Sequence, residues 1–254
     1  MRRFLHVVTA CVLLFPAAAT AQVNFQKTGY YAALGDSVAA GEGAMPVTNG
    51  YAYQLYEQGV FGPKQTTDFS ILAIRGGRSW DLLNHQVPQL LCSEPAQRPT
   101  IVTITAGAND LFRGDFNVQA IALRVVAAIN QLLNNDNGFV APVKDPFTGA
   151  PCRRLENVTI LVSNYYQIPH PDPTTAAFLD QAIQGFDFVL RMGLQGINKP
   201  AGSKVAVVDL YNMSKEQLGD IVLLHGPGGF DVHPTNHGHT LIAKEFQKVW
   251  NSIQ

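Results

Sequence analysis

Three short stretches of this chain carry residue types that can do chemistry together. Gly35-Asp36-Ser37 follows the apolar run Tyr30–Leu34, Gly107-Ala108-Asn109-Asp110 follows the β-branched run Ile101–Thr105, and His233-Pro234 precedes the amphipathic pattern Leu241, Ile242, Phe246, Val249 and Trp250. A serine hydroxyl is a weak nucleophile until a base such as histidine takes its proton. An asparagine side chain offers an uncharged N–H donor to a developing oxyanion. Ser37 precedes the small residues Val38-Ala39-Ala40-Gly41, which can open a helical turn whose unpaired N–H groups favour negative charge. Pro234 fixes the chain beside His233 and keeps it in a loop just outside a helix. Singly, each stretch has a plain structural explanation, because Ser and Asp cap helices and Asn and Asp make turns. Together, and in this order, they describe a serine hydrolase.

The elements that must position these residues are legible as alternation. Apolar, β-like runs lie at about 30–34, 69–74, 100–105, 158–163 and 204–209, with helical patterns near 50–59, 79–91, 117–134, 175–198 and 236–253. Strand–helix alternation argues for an α/β fold with three layers, α/β/α, around a central, mostly parallel five-stranded sheet. Such sheets bind ligands at the carboxyl ends of their strands, and Ser37 and Asn109 both follow a strand. The segment 134–154, rich in Asn, Asp, Pro and Gly, reads as a long loop inserted before the fourth strand.

Composition excludes several classes. With 254 residues, 46% hydrophobic and 15% charged, the chain can bury one sizeable core, and a formal charge of −1 offers no electrostatic basis for nucleic-acid binding. Met1-Arg2-Arg3, the apolar stretch Phe4–Phe15 and Ala19-Thr20-Ala21 before Gln22 read as a secretory signal peptide over residues 1–21. The expectation is therefore a single domain over 22–254, secreted to an extracellular or periplasmic space, with no transmembrane segment. Loss of the signal removes Cys11 and leaves Cys92 and Cys152, which in an oxidising compartment are expected to pair or else to remain as buried thiols.

At these residues the chain resembles the SGNH (GDSL-type) hydrolase family. Tyr31-Ala32-Ala33-Leu34-Gly35-Asp36-Ser37 matches the nucleophile block, Gly107-Ala108-Asn109-Asp110 the asparagine block, and His233-Pro234-Thr235 with Gly238-His239 the histidine block. Ile71–Ser79 stands where the family's glycine block belongs, with Gly76 in better register than Gly77. The resemblance spans roughly residues 28–250 and implies a flavodoxin-like SGNH hydrolase fold. It also implies Ser37 as nucleophile, His233 as base, and an oxyanion hole made by the N–H groups of Ser37 and Gly76 with the Asn109 side chain. The family places the aspartate that orients the histidine three residues before it, which here is Phe230, whereas Asp231 lies two residues before. One residue of shift in an extended segment turns a side chain to the opposite face. Either the loop bends so that Asp231 serves, or a backbone carbonyl near Phe230 holds the ring and a Ser–His dyad works alone.

The expected activity is a serine esterase or lipase that needs no cofactor or metal and works as a monomer on small-molecule, lipid or glycan esters. A carbohydrate O-acetylesterase on the same site is the nearer alternative. A non-enzymatic ligand-binding module is the distant one, and its phosphate loop would need more glycines after the first strand than Gly35, Gly41 and Gly43 supply. His233, His237 and His239 share some helical spacing, but no carboxylate or cysteine completes a familiar zinc set. Tyr165-Tyr166 can line a cleft or pack, and Asp209 can serve the site or cap a turn.

Overall fold

A computed structural model describes residues 29–93, 98–136, 138, 141–215, 217, 221 and 231–254. The proposed signal peptide and Phe230 lie outside the described residues. Strand β1 (Gly29–Gly35) is the apolar run that leads to Ser37, and it is central because both of its edges are paired. Its neighbours are β2 (Thr67–Ile71) and β3 (Ile101–Thr105), followed outward by β4 (Thr159–Ser163) and β5 (Lys204–Val208), giving the all-parallel order β2-β1-β3-β4-β5. In register, Gly35 stands beside Thr105, so β1 and β3 end together. The order reverses direction at β1 and β3, which opens a crevice at their carboxyl ends.

Period-two alternation assigns the two faces of the sheet. Ala32 and Leu34 of β1, Val102 and Ile104 of β3, and Ile160 and Val162 of β4 enter one core. That core is covered by a π-helical turn (Leu82–Gln86), which continues the short helix α2 (Ser79–Asp81), and by α3 (Val87–Leu91), α5 (Val118–Asn134) and α6 (Pro173–Gln195). Tyr31, Ala33, Ile101 and Leu161 face the other way, against α1 (Tyr51–Glu57) and α8 (Asn236–Ser252). Burying each such Leu or Ile contributes about 1.5–3 kcal/mol before entropy is counted. Two short helices, α4 (Ala108–Phe112) and α7 (Leu210–Ser214), follow β3 and β5 directly.

Strand β2 begins earlier than the apolar run suggests and stops at Ile71. Leu72 and Ile74 still donate to Ala33 O and Gly35 O, but the chain is already leaving the ladder for the turn at Gly76-Gly77. The disulfide Cys92–Cys152, with Cα atoms 5.1 Å apart, joins the end of α3 to the long segment before β4. Asn135 fastens the same segment through hydrogen bonds to Val143 N, Val143 O and Cys152 O. No helix among the described residues is long and apolar enough to cross a membrane.

Candidate active site

The turn that carries Ser37 is built on a glycine for a steric reason. Gly35 has φ +126°, and a Cβ there would sit 1.8 Å from Thr105 O. The absence of a side chain lets β1 turn hard against β3, where Asp36 N donates to Thr105 O at 2.9 Å. Gln86 completes the turn from the other side. Its Oε1 accepts from Gly35 N at 2.6 Å and its Nε2 donates to Gly35 O at 2.7 Å. Gln86 ends the π-helical turn, a feature that re-aims side chains near functional sites. The Asp36 carboxylate points inward: it accepts from Val38 N at 3.0 Å, from Thr105 Oγ1 at 3.2 Å, and from the Tyr165 hydroxyl. Burial pushes the Asp36 carboxyl up to about 7. Ser37 itself is directed to the crevice, one-fourteenth exposed, and its N–H makes no hydrogen bond among the described residues.

Two consecutive residues at the start of α4 hold the loop that follows β2. Asn109 Nδ2 donates to Gly77 O at 3.0 Å. Asp110, buried, accepts from Ser79 N at 2.8 Å and Ser79 Oγ at 2.7 Å, and Arg124 bridges to it from α5 at 3.2 Å. Gly77 N is committed to Ile74 O at 2.8 Å, whereas Gly76 N has no hydrogen-bond partner among the described residues. Of the two glycines only Gly76 therefore has a backbone donor to spare.

His233 reaches Ser37 from a separate loop. Its Nε2 lies 2.9 Å from Ser37 Oγ, and its Nδ1 lies 2.6 Å from Asp231 Oδ1. The same Asp231 oxygen accepts from His233 N at 2.9 Å, so residues 231–233 form a tight Asx-type turn and not an extended strand. This bend brings a carboxylate two residues away onto the ring, which simple alternation would have turned aside. Because the carboxylate only accepts, Nδ1 carries the proton and Nε2 is left to accept from the serine hydroxyl. Tyr166 OH donates to Val232 O at 2.7 Å and pins the middle of the turn. Beneath it lies Gly43, φ +85°, where a Cβ would come within 2.9 Å of His233 Cβ and 2.3 Å of Pro234 O.

Ser37, Asn109 and His233 line one cavity of about 60 Å³, with Asp36, Phe112, Tyr165, Tyr166 and Ile168 among its walls. Gly76 is outside that lining, on the adjoining loop tied through Gly77 O to Asn109. The other histidines stand apart. His239 is fully buried, accepts from Tyr51 N at 3.2 Å through Nδ1 and donates to Glu42 O at 2.8 Å through Nε2, and burial lowers it to about 4. His237 is exposed, and among the described residues no group of His, Cys, Asp or Glu is arranged to hold a metal. Asp209 caps α7 through Asn212 N and pairs with Arg191, away from Ser37.

Gln86 and the Ser79–Asp110–Arg124 cluster escaped the sequence reading. A sign was present, since Gln86 falls on the buried stripe Leu82, Gln86, Leu90, where a polar residue needs a partner. Tyr165 and Tyr166 were legible as cleft or packing residues and are both: they line the cavity and brace Asp36 and the histidine turn.

A parallel α/β sheet with a serine, a histidine and a carboxylate in hydrogen-bonded sequence at its carboxyl edge is the arrangement of a serine hydrolase. Residues 33–241 match the GDSL-like Lipase/Acylhydrolase family, and the chain belongs to that family of carboxylic ester hydrolases. No curated protein matches it. Among solved structures it is similar to a lipolytic G-D-S-L family protein from Veillonella parvula, at 17% identity and TM-score 0.58, covering 87% of this chain and 98% of that one. It is similar to the psychrotrophic esterase EstA from Pseudoalteromonas sp. at 19% identity and TM-score 0.53, covering 89% and 96%. It also resembles the salicylyl-acyltransferase SsfX3 from a tetracycline biosynthetic pathway, at 15% identity and TM-score 0.53, but 89% of this chain spans only 55% of that protein. At these identities the likeness is one of fold.

Proposed function

We propose that the protein is an exported, monomeric serine esterase in which Ser37 is the nucleophile, His233 the general base and Asp231 the group that orients the imidazole. The observation that carries this reading is the continuous chain Asp231 Oδ1–His233 Nδ1 at 2.6 Å and His233 Nε2–Ser37 Oγ at 2.9 Å. In the first step Ser37 Oγ bonds to the ester carbonyl carbon while its proton passes to His233 Nε2. The carbonyl oxygen takes the negative charge and is met by the N–H groups of Ser37 and Gly76 and by Asn109 Nδ2. Collapse of the tetrahedral intermediate breaks the bond to the alcohol oxygen, which leaves with the proton from His233. Water then repeats the sequence on the acyl-serine and frees the acid. Asn109 holds Gly77 O through one of its two N–H bonds, which leaves the other for the oxyanion and locks the amide in place. The Cys92–Cys152 disulfide is compatible with export into an oxidising compartment.

A p-nitrophenyl ester series, acetate to palmitate, assayed with the mature protein and with Ser37→Ala, tests the reading. Turnover is expected to vanish in the variant, and Asn109→Ala is expected to lose about 2.7–4 kcal/mol of barrier stabilisation while remaining folded. Full activity in Ser37→Ala would end the assignment. A second reading, an O-acetylesterase acting on glycans, draws support from the small space at Ser37, about 60 Å³, which is suited to a short acyl group. Release of acetate from acetylated polysaccharide, with no gain from longer acyl chains, would favour it.

A further inference from the structure

Helix α4 serves two spaces. Ala108, Asn109 and Phe112 line the cavity at Ser37, whereas Asp110 and, just past the helix, Arg113 line a second pocket of about 260 Å³ together with Arg78, Trp80, Asp115 and Arg124. Both carboxylates of that pocket are already answered. Asp110 accepts from Ser79 N, Ser79 Oγ and Arg124 Nη2, and Asp115 accepts from Arg124 Nη2 at 2.5 Å and from Asn117 N at 3.1 Å. Arg124 is spent in turn, since its Nε donates to Ser79 Oγ at 2.7 Å.

Arg78 and Arg113 are not spent. Arg78 makes one loose ion pair, Nε to Asp81 Oδ2 at 3.8 Å, and that oxygen already accepts from Arg78 N at 2.8 Å. The Arg113 side chain has no hydrogen bond or ion pair among the described residues. A guanidinium fork meets the oxygens of a carboxylate or phosphate in pairs, so two unspent forks on one hollow make a geometry for an anion. Trp80, 46% exposed, gives the same hollow an aromatic wall for the carbon skeleton that carries it. Position ties the pocket to the reaction. Arg113 Nη2 comes within 3.3 Å of where a Cβ on Gly76 would stand, so it flanks the glycine whose N–H is proposed to meet the oxyanion. Asp110 directly follows Asn109, the other proposed donor from outside the serine turn.

We propose that Arg78, Arg113 and Trp80 form an anion subsite beside the oxyanion hole, and that the substrate carries a carboxylate or phosphate close to its ester bond. The link to a substrate rests on Ser37 being the nucleophile, whereas the anion site itself does not. Tryptophan fluorescence at low salt reads the site without turnover. Glucuronate and inorganic phosphate are expected to give a saturable change that is absent with glucose, absent in Trp80→Phe, and weakened by NaCl. Affinity for the tighter of the two is expected to fall about tenfold or more in Arg113→Gln and in Arg78→Gln, as for loss of a charged hydrogen bond.

Turnover locates the anion on the substrate. 4-Acetoxybutanoate, 6-acetoxyhexanoate and 2-acetoxyethyl phosphate, against alkyl acetates of matching length, place the charge on the alcohol half. Monomethyl glutarate and adipate, against methyl pentanoate and hexanoate, place it on the acyl half. In at least one series the charged member is expected to have the higher kcat/KM, and its ratio to the neutral member to fall about tenfold or more in Arg113→Gln. No saturable response to either anion, or undiminished affinity in both arginine variants, would overturn the site. Anion binding with no preference for the charged member in either series would overturn the substrate assignment and leave a site for a free anion. Ser37→Ala separates the two levels. If turnover persists in it, the serine mechanism fails and the fluorescence result still judges the anion site, and if turnover vanishes while the wild-type series show no charge preference, only the subsite fails.

Discussion

The Ser37 turn and the His233 loop meet through one hydrogen bond yet are held in opposite ways. Ser37 sits at the end of a central strand. Gly35 is clasped by Gln86 on both backbone atoms, Asp36 N is tied to Thr105 O, and the Asp36 side chain is buried among three donors. Nearly every anchor of that turn comes from elsewhere in the core. The histidine side relies on a local Asx-type turn, one tyrosine at Val232 O, and the bond from Thr235 N to Ile221 O at 2.7 Å. The contrast teaches that the proposed nucleophile is positioned by the fold, whereas the proposed base is positioned by a short loop docked onto it. Disturbing the first should cost stability, and disturbing the second should cost rate.

The largest expected break is Asp231→Asn. If the carboxylate fixes the tautomer of His233, kcat should fall on the order of 10³–10⁴-fold with little change in Tm. Steady-state kinetics and a melting curve suffice, and a loss under tenfold would favour a dyad whose ring is held by backbone.

The next expectation opposes the two sides through pH. His239, in the helix that follows His233, is lowered by burial from 6.5 to about 4, so the unfolded chain takes up its proton first. Its contribution is complete above about pH 6.5 and is lost as pH falls towards 4, up to about 3 kcal/mol. Asp36, beside Ser37, is raised from 3.8 to about 7, so the unfolded chain loses its proton first. Its contribution is complete below about pH 4 and is lost as pH rises towards 7. The two slopes oppose each other across a shared window. Urea midpoints at pH 4, 5, 6 and 7 should rise more steeply with pH in Asp36→Asn than in the wild type, and should fall with pH in His239→Gln. Parallel curves for all three proteins would contradict the opposed pair.

Gln86→Leu should strand the buried Gly35 N–H and cost about 2–3 kcal/mol, seen as a lower urea midpoint. Tyr166→Phe is the smallest change: about 1 kcal/mol of stability, a few degrees or less in Tm, with kcat reduced several-fold as the Val232 turn loosens. Equal losses of Tm in the two variants would erase the contrast between the two regions.

Much of the architecture was legible because its signals are local. The runs at β1, β3, β4 and β5 announce themselves by apolarity and β-branching, and each reading lies within a residue or so of the observed strand. The second strand was displaced because Leu72 and Ile74 are apolar for reasons of packing after the ladder has ended. Helices α4 and α7 were missed because five residues carry too little period to register.

The sequence by itself determined the order of strands and helices and the family, and it singled out the residues proposed to react, since period and motif spacing are properties of neighbours along the chain. Only the tertiary structure decided that Asp231 bends back onto His233, that Gly76 and not Gly77 keeps a free N–H, and that Gln86, 51 residues from Gly35, clasps the nucleophile turn. The first two depend on how short loops fold back on themselves, which the order of residue types does not dictate, and the third on a hydrogen bond between distant segments, whose partner is set by sheet register and helix packing and cannot be named from the helical period that marks Gln86 as buried.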